Sequence, residues 1–322
     1  MNSRAGISPT ATEATISSAR VKKLASPVAM ATPVLKIATF HSSSLGSLVA
    51  SLGALVALRD SFPGARICSF ARAPLLPLLR SFSAVDEANA RPGGGISSQA
   101  ALMARLHGGD FDLALSFSQG SNALLLMWAT GAPIRAGFVP SRMDALLTHK
   151  IAKEGPLRPV CALELVRGVG ASPRGENARD WLPIPYSATQ QAEKILQEGG
   201  VEGQFVVVST EIRKSEIAKT GVSVREVDAE MLRELSARFP VVLVGLKRAK
   251  IALPAPGETP HPILDLGGQT DVLTLAALCQ TARGVFGVGS GVLQLGHFFE
   301  KPTVSTSESD FPARRALQLF GF

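Results

Sequence analysis

Three short stretches carry residues whose types and spacing could do chemistry, and all three point to an anion. Residues 41–47 read His-Ser-Ser-Ser-Leu-Gly-Ser directly after the apolar run 34–40. Residues 209–219 open with Ser209 and Thr210 after Phe205-Val-Val-Val and go on to Lys214 and Lys219. Residues 287–294 place Gly289, Ser290 and Gly291 after a third apolar run, with Val292 and Gln294 following. In each case a strand pattern empties into small or hydroxyl residues before a helical pattern. That junction offers unpaired backbone N–H groups, and the helix dipole favours a phosphate there. Glycines let the ligand approach the backbone closely, and Ser290 adds a hydroxyl; a tight turn would use the same residues.

The elements that must position these loops follow a βα rhythm. Strands are expected at 34–40, 66–70 and 112–117, with helices near 47–61, 97–107 and 121–129. After a Pro- and Gly-containing stretch near 174–187 the rhythm restarts, with strands at 205–209, 240–245 and 284–288 and helices near 225–238 and 272–281. Alternation of this kind means parallel sheets with helices on both faces. The expected fold class is therefore α/β, as two Rossmann-like, doubly wound domains at 34–180 and 181–322, behind a disordered segment at 1–33 rich in Ser, Ala and Thr. Ligands of such folds bind at the carboxyl ends of the strands, so two facing domains define a cleft.

Composition narrows the function. A chain of 322 residues is long enough for two cores, and with 46% hydrophobic residues it reads as a globular protein. Its apolar runs stop short of the roughly 20 residues that cross a bilayer. Cys68, Cys161 and Cys279 are too far apart for a C-x-x-C site, and the five histidines have no metal-binding spacing, so no metal is expected and a reducing cytoplasm is the expected location. The formal charge of +7 suits an anionic small molecule or contact with a membrane surface. Nucleic acid is not expected, since aromatics are only 6% and no basic run is interleaved with them.

Four segments in register carry a family resemblance: "SSSLGS" after the first strand, "FDLALSFSQGSNALLLMWATGAPIRAGF", "LDLGGQTDVLTLAALCQTARGVFGVGSG" and "LQLGHFFEKPTV". Together they resemble glycosyltransferase family 9, the heptosyltransferases, over nearly all of residues 34–312. The resemblance implies a GT-B fold with an acceptor-binding first domain and a nucleotide-sugar-binding second domain. It implies a metal-independent, inverting transfer without a cofactor, typically from ADP-heptose. The acceptor by default is lipopolysaccharide core, with a protein or a small natural product as rivals.

The resemblance also assigns residues. Ser43, Ser44 and Gly46 match the family's acceptor loop, but the family's aspartate base is Ser47 here, and a neutral serine cannot deprotonate a hydroxyl near pH 7. His41 stands where relatives often have Lys; it is expected either to titrate near neutrality as a substitute base or merely to pack or cap the loop. An amine, phosphate or other ionised acceptor would need no base. On the donor side Ser209, Thr210 and one of Lys214 and Lys219 would hold the diphosphate, joined by Ser290, Gly291 and Val292. Gly289 replaces the family's acid and Gln294 its common His, which leaves open a donor other than ADP-heptose. Gly267 or Gly268 would let base or ribose approach. Arg135 and Arg142, followed by His149 and Lys150, would meet an anionic acceptor unless they are ordinary surface charge. Lys247, Arg248 and Lys250 form either a solvated loop or a site for extra donor charge. The alternative from another class is a non-catalytic nucleotide-sugar-binding or scaffold protein that lost its acids at 47 and 289 and stops at Phe322, where relatives continue.

Overall fold

The computed structural model describes residues 33–92, 96–173, 177–210, 226–255, 257–289, 291–307 and 311–321. Lys214, Lys219, Ser290 and the segment 1–32 lie outside the described residues.

The first half is a parallel sheet with helices around it. Its elements run β1 (Lys36–Phe40), α1 (Leu45–Ser61), β2 (Arg66–Ala71), α2 (Leu76–Ser81, entered through a 3-10 turn at Ala73–Leu75) and β3 (Glu87–Ala90). They continue with α3 (Ile96–His107), β4 (Leu113–Ser116), α4 (Ser121–Ala129), β5 (Ile134–Val139), β6 (His149–Ala152) and α5 (Pro159–Arg167). The sheet has six strands in the order β3-β2-β1-β4-β5-β6. The chain therefore winds outward from β1 in one direction, returns, and winds out in the other. The loop after β1 sits where the strand order reverses, which is where doubly wound sheets open a crevice.

The second half holds α6 (Tyr186–Glu198), β7 (Val206–Ser209), α7 (Ala229–Ser236), β8 (Val241–Val244), β9 (Ile263–Asp265), α8 (Val272–Thr281), β10 (Gly284–Gly287), α9 (Gly291–Phe298), β11 (Thr303–Ser305) and α10 (Pro312–Leu319). Its five parallel strands are ordered β11-β10-β7-β8-β9. The valines of β7 and β8 are buried throughout, because helices cover both faces of a parallel sheet.

Local chemistry explains the two helices that matter most for the site. Helix α1 carries no charge from Leu45 to Leu58 and is buried around nearly its whole circumference, packed against the first sheet, α5 and α9. It ends at Phe62, whose N–H reaches the Leu58 carbonyl, because Pro63 cannot continue it. Helix α8 starts where the Asp271 carboxylate accepts from the Thr274 N–H at 2.7 Å.

The halves are fastened to each other. Gly46, in the first turn of α1, lies against Gly291, the first residue of α9. A Cβ on Gly291 would stand 2.8 Å from the Gly46 nitrogen and 2.7 Å from the Leu45 Cβ, so no larger residue permits this approach. The connector is tied to both sides as well. The Trp181 carbonyl accepts from the Ser83 N–H and hydroxyl, while Glu300 accepts from Asn177 and Arg179 at 2.8 and 2.6 Å.

Candidate donor and acceptor cleft

A cavity of about 590 Å³ opens between the carboxyl edges of the two sheets. The first half contributes Ser43, Ser44, Leu45 and Gly46 from the loop after β1, and Arg72, Pro74, Leu75 and Pro77 from the corner after β2. The second half contributes Ser209, Gly245, Leu246, the run Thr270–Val272, Leu275, Gly291 and Val292. The volume suits a nucleotide-sized ligand. The cavity brings together residues that the sequence assigned to opposite sides of a cleft: Ser43, Ser44 and Gly46 with Ser209, Gly291 and Val292. Thr210 follows Ser209 half-buried, and Gln294 places its Cγ at the Gly46–Gly291 junction.

The loop after β1 is a chain of hydroxyls. Ser44 caps α1, accepting from the Ser47 N–H at 3.3 Å, and its hydroxyl donates to Ser47 Oγ at 2.8 Å. The Ser44 N–H reaches Ser42 Oγ at 3.2 Å. Ser47 is thus the third residue of the helical turn. It is half-buried, bonded to the cap, and absent from the cavity lining.

His41 is corrected. It does not titrate near neutrality: burial first, and then the nearby Arg91 charge, hold its pKa down to about 3. The ring is fully buried and stacks on Phe117 with centroids 5.2 Å apart. Its hydrogen bonds identify the tautomer. Ser51 spends its proton on the Leu48 carbonyl at 2.7 Å, so its oxygen accepts from His41 Nδ1–H at 3.0 Å. Nε2 then accepts from Thr39 Oγ1 at 3.2 Å, and Thr39 accepts from Ser69 at 2.7 Å. This neutral ring is a strut beneath the serine loop, with both nitrogens engaged and neither open to an acceptor.

Two further expectations change. Arg135 sits at the amino end of β5, paired in register with Ala114, about 13 Å along the strand from the carboxyl edge. Its guanidinium is spent on the carbonyls of Ala132 and Leu146, at 2.6 and 2.8 Å. It pins a turn on the far side of the sheet, where His149 and Lys150 also begin β6. Arg142 does lie beyond the carboxyl end of β5, exposed to solvent, but outside the cavity lining. Gly267 and Gly268 make a close approach to the chain itself, and neither lines the cavity. A Cβ on Gly267 would stand 2.2 Å from the Lys247 carbonyl oxygen, and Gly268, at φ +75°, bonds to the Gly245 carbonyl at 2.8 Å.

Sequence reading missed Arg72, the prolines beside it and Leu246. The available signal was the rule already applied elsewhere: Arg72 directly follows the carboxyl end of β2, and Leu246 lies just beyond that of β8. Arg91, at the end of β3, is partly buried; burial and then the Arg72 charge lower its pKa, and its Nε–H has no hydrogen-bond partner among the described residues. Among the described residues Asp271 is the only carboxylate lining the cavity, and it is engaged as the α8 cap. No cluster of three His, Cys, Asp or Glu side chains with metal-binding geometry occurs among them, and no described helix is long and apolar enough to cross a membrane.

No family model matches the sequence, and no curated protein matches it. Solved structures do match the fold. The glycosyl transferase family 9 protein from Veillonella parvula superposes with a TM-score of 0.67 at 16% identity, over 86% of this chain and 82% of that one. The E. coli ADP-heptose lps heptosyltransferase II gives 0.67 at 16% identity, over 88% and 97%. The E. coli heptosyltransferase WaaC, solved with ADP-2-deoxy-2-fluoro heptose, gives 0.61 at 13% identity, over 88% and 98%. The chain has the GT-B heptosyltransferase fold, in a sequence far diverged from these structures.

Proposed function

We propose that this protein is a glycosyltransferase that moves a sugar from a nucleoside diphosphate to an acceptor, with inversion, without a metal and without a cofactor. The observation that carries the proposal is the cavity: one nucleotide-sized space, walled by the carboxyl edges of both sheets, with the first turns of α1 and α9 meeting at its side. The donor occupies the second half. Its diphosphate lies at Ser209 and the α9 N-terminus, where backbone N–H groups and the helix dipole meet negative charge, with Lys214 or Lys219 and Ser290 as further partners. The acceptor enters beside Ser43 and Ser44. A sugar from ADP-heptose is the first donor to try; lipopolysaccharide core, a protein or a small natural product are the acceptor classes, and the cytoplasm, where nucleotide sugars are made, is the location.

Catalysis has to proceed without the usual carboxylate. Ser47 cannot ionise near neutral pH, and His41 is sealed and neutral. The acceptor therefore brings its own lone pair, as an unprotonated amine or an ionised oxygen. It attacks the anomeric carbon from the face opposite the leaving group. The anomeric C–O bond breaks, and the electron pair leaves with the nucleoside diphosphate. An amine then loses its extra proton to water. The protein holds the two reactants in line and stabilises charge growing on the diphosphate.

The engaged Asp271 and the absence of any other carboxylate along the described cavity walls favour one second reading, a protein that binds a nucleotide sugar without turning it over. Calorimetry with ADP-, UDP-, GDP- and dTDP-sugars tests what both readings share, and silence from all four removes both. Release of nucleoside diphosphate from the bound donor, in the presence of amine or phosphate acceptors, then separates the enzyme from the binder.

A further inference from the structure

The cavity has a polar end and an apolar end, and the first half of the chain supplies one wall of each. The polar end is the line of Arg72, Ser44 and Gly291. Strand pairing sets this line: Phe70 is in register with Phe40, and the His41 N–H bonds to the Phe70 carbonyl at 3.0 Å, so the corner after β2 emerges beside the serine loop. The apolar part of the lining is Pro74 and Leu75 from the first half and Leu246 and Leu275 from the second, and α2 packs against α8. Leu246 is 67% exposed on the second half and lines the cavity, so its side chain is available to a ligand there.

Taking the donor reading as its basis, we propose that the corner Arg72–Pro77 is a second wall of the nucleotide site, contributed by the acceptor-side half: Arg72 pairs with the diphosphate, and Pro74 with Leu75 closes over the nucleobase. The chemistry of the two ends fits the two ends of a nucleoside diphosphate, a charged tail and a planar apolar head, and a guanidinium binds phosphate oxygens in a forked geometry. Arg72 is exposed and makes no ion pair among the described residues; burial and then the Arg72 charge lower the pKa of Arg91 behind it, so an anion at this spot relieves a like-charge contact. One consequence is that donor binding draws the halves together, because the ligand touches both.

The test is calorimetry on the full chain with ADP, UDP, GDP and dTDP and with the corresponding nucleosides. Arg72→Ala should weaken the tightest-binding diphosphate roughly tenfold or more while leaving its nucleoside unchanged, and Arg72→Lys should recover part of the loss. Pro74→Glu, at an exposed position that tolerates the change, should weaken nucleoside and diphosphate alike. If the wild-type chain binds none of the diphosphates, the donor reading fails and takes this inference with it. If the wild type binds and both variants bind equally well, the inference alone is overturned. A loss for Arg72→Ala that is equal for nucleoside and diphosphate would likewise refute the charge pairing.

Discussion

The loop after β1 and the loop after β10 meet at the same cavity and are held by opposite means. The first is fixed by side chains: Ser42, Ser44 and Ser47 bond to one another, above a histidine that bonds to Thr39 and Ser51. The second is fixed by the lack of side chains. Gly287 has φ +133°, a conformation few other residues adopt, and a Cβ there would stand 2.2 Å from the Ser209 carbonyl oxygen. Gly291 touches the opposite half directly. The difference teaches that the two edges fail differently. Hydroxyl contacts are lost in small steps, whereas a backbone contact made through glycine has no intermediate.

The sharpest way to break the comparison is Gly287→Ala. The added methyl meets the backbone of the neighbouring strand at the carboxyl edge of the sheet, at a strained φ, and nothing nearby is a flexible side-chain end that could move aside. The variant should lose about 4 kcal/mol or fail to fold, as read from its urea midpoint. An unchanged midpoint would show that the β10 loop is not held as described.

Acid comes next in size, and through His41 it acts on the first loop. His41 has a folded pKa of about 3 against an ordinary value of 6.5, so the unfolded chain takes up a proton that the folded chain refuses. The stability linked to this histidine is complete above pH 6.5 and is lost as pH falls from there towards 3. The slope should be up to about 1.4 kcal/mol per pH unit, to a total on the order of 4 kcal/mol. His41→Gln keeps a donor and an acceptor but cannot titrate. Its stability should be flatter over that window in acid-dependent urea melts, and an identical slope in both proteins would place the titrating group elsewhere.

Gly291→Ala should cost less, about 2 kcal/mol, because the two halves can part slightly to admit a methyl that stands 2.7 Å from the Leu45 Cβ. Its larger effect should be on shape: small-angle scattering should show a more open molecule, and nucleoside diphosphate binding should weaken. A variant as compact as the wild type would mean that the Gly46–Gly291 contact does not set the spacing of the halves.

Much of the fold was legible because its signals are local. The apolar runs of β1, β7, β8 and β10 and the hydroxyl or glycine residues after them mark strand ends whatever the rest of the chain does. Hence the strand-end pattern alone points to Ser43, Ser44, Gly46, Ser209, Gly291 and Val292, and all six line the cavity. What escaped depends on pairing between distant segments. Arg72 reaches the site only because β2 lies beside β1. Arg135 was misplaced because proximity to α4 in sequence does not say at which end of β5 it falls. The sequence leaves His41 open between a titrating base and a packed ring, and the choice is made by Phe117 and Ser51, residues on other elements. The glycines at 267 and 268 suggest a close approach of base or ribose, whereas the close approach in the structure is to the turn at 245–247.

The smallest effect on stability, and the most informative about function, belongs to Ser47→Asp. Residue 47 lies in the first turn of α1, where a carboxylate meets the positive end of the helix dipole and can accept from free N–H groups, so the change should stabilise by a few tenths of a kcal/mol. It should leave donor affinity almost unchanged, since Ser47 is not part of the cavity wall and the proposed donor site lies mainly on the second half. Turnover is where it should act. If the chain lacks only a base, the new carboxylate beside Ser44 should raise transfer to ordinary hydroxyl acceptors and leave amine acceptors as they were, because an amine brings its own lone pair. Initial rates with paired hydroxyl and amine acceptors measure this directly. A large fall in donor affinity would instead place residue 47 against the donor. That result would erase the division between a side-chain-built acceptor edge and a backbone-built donor edge.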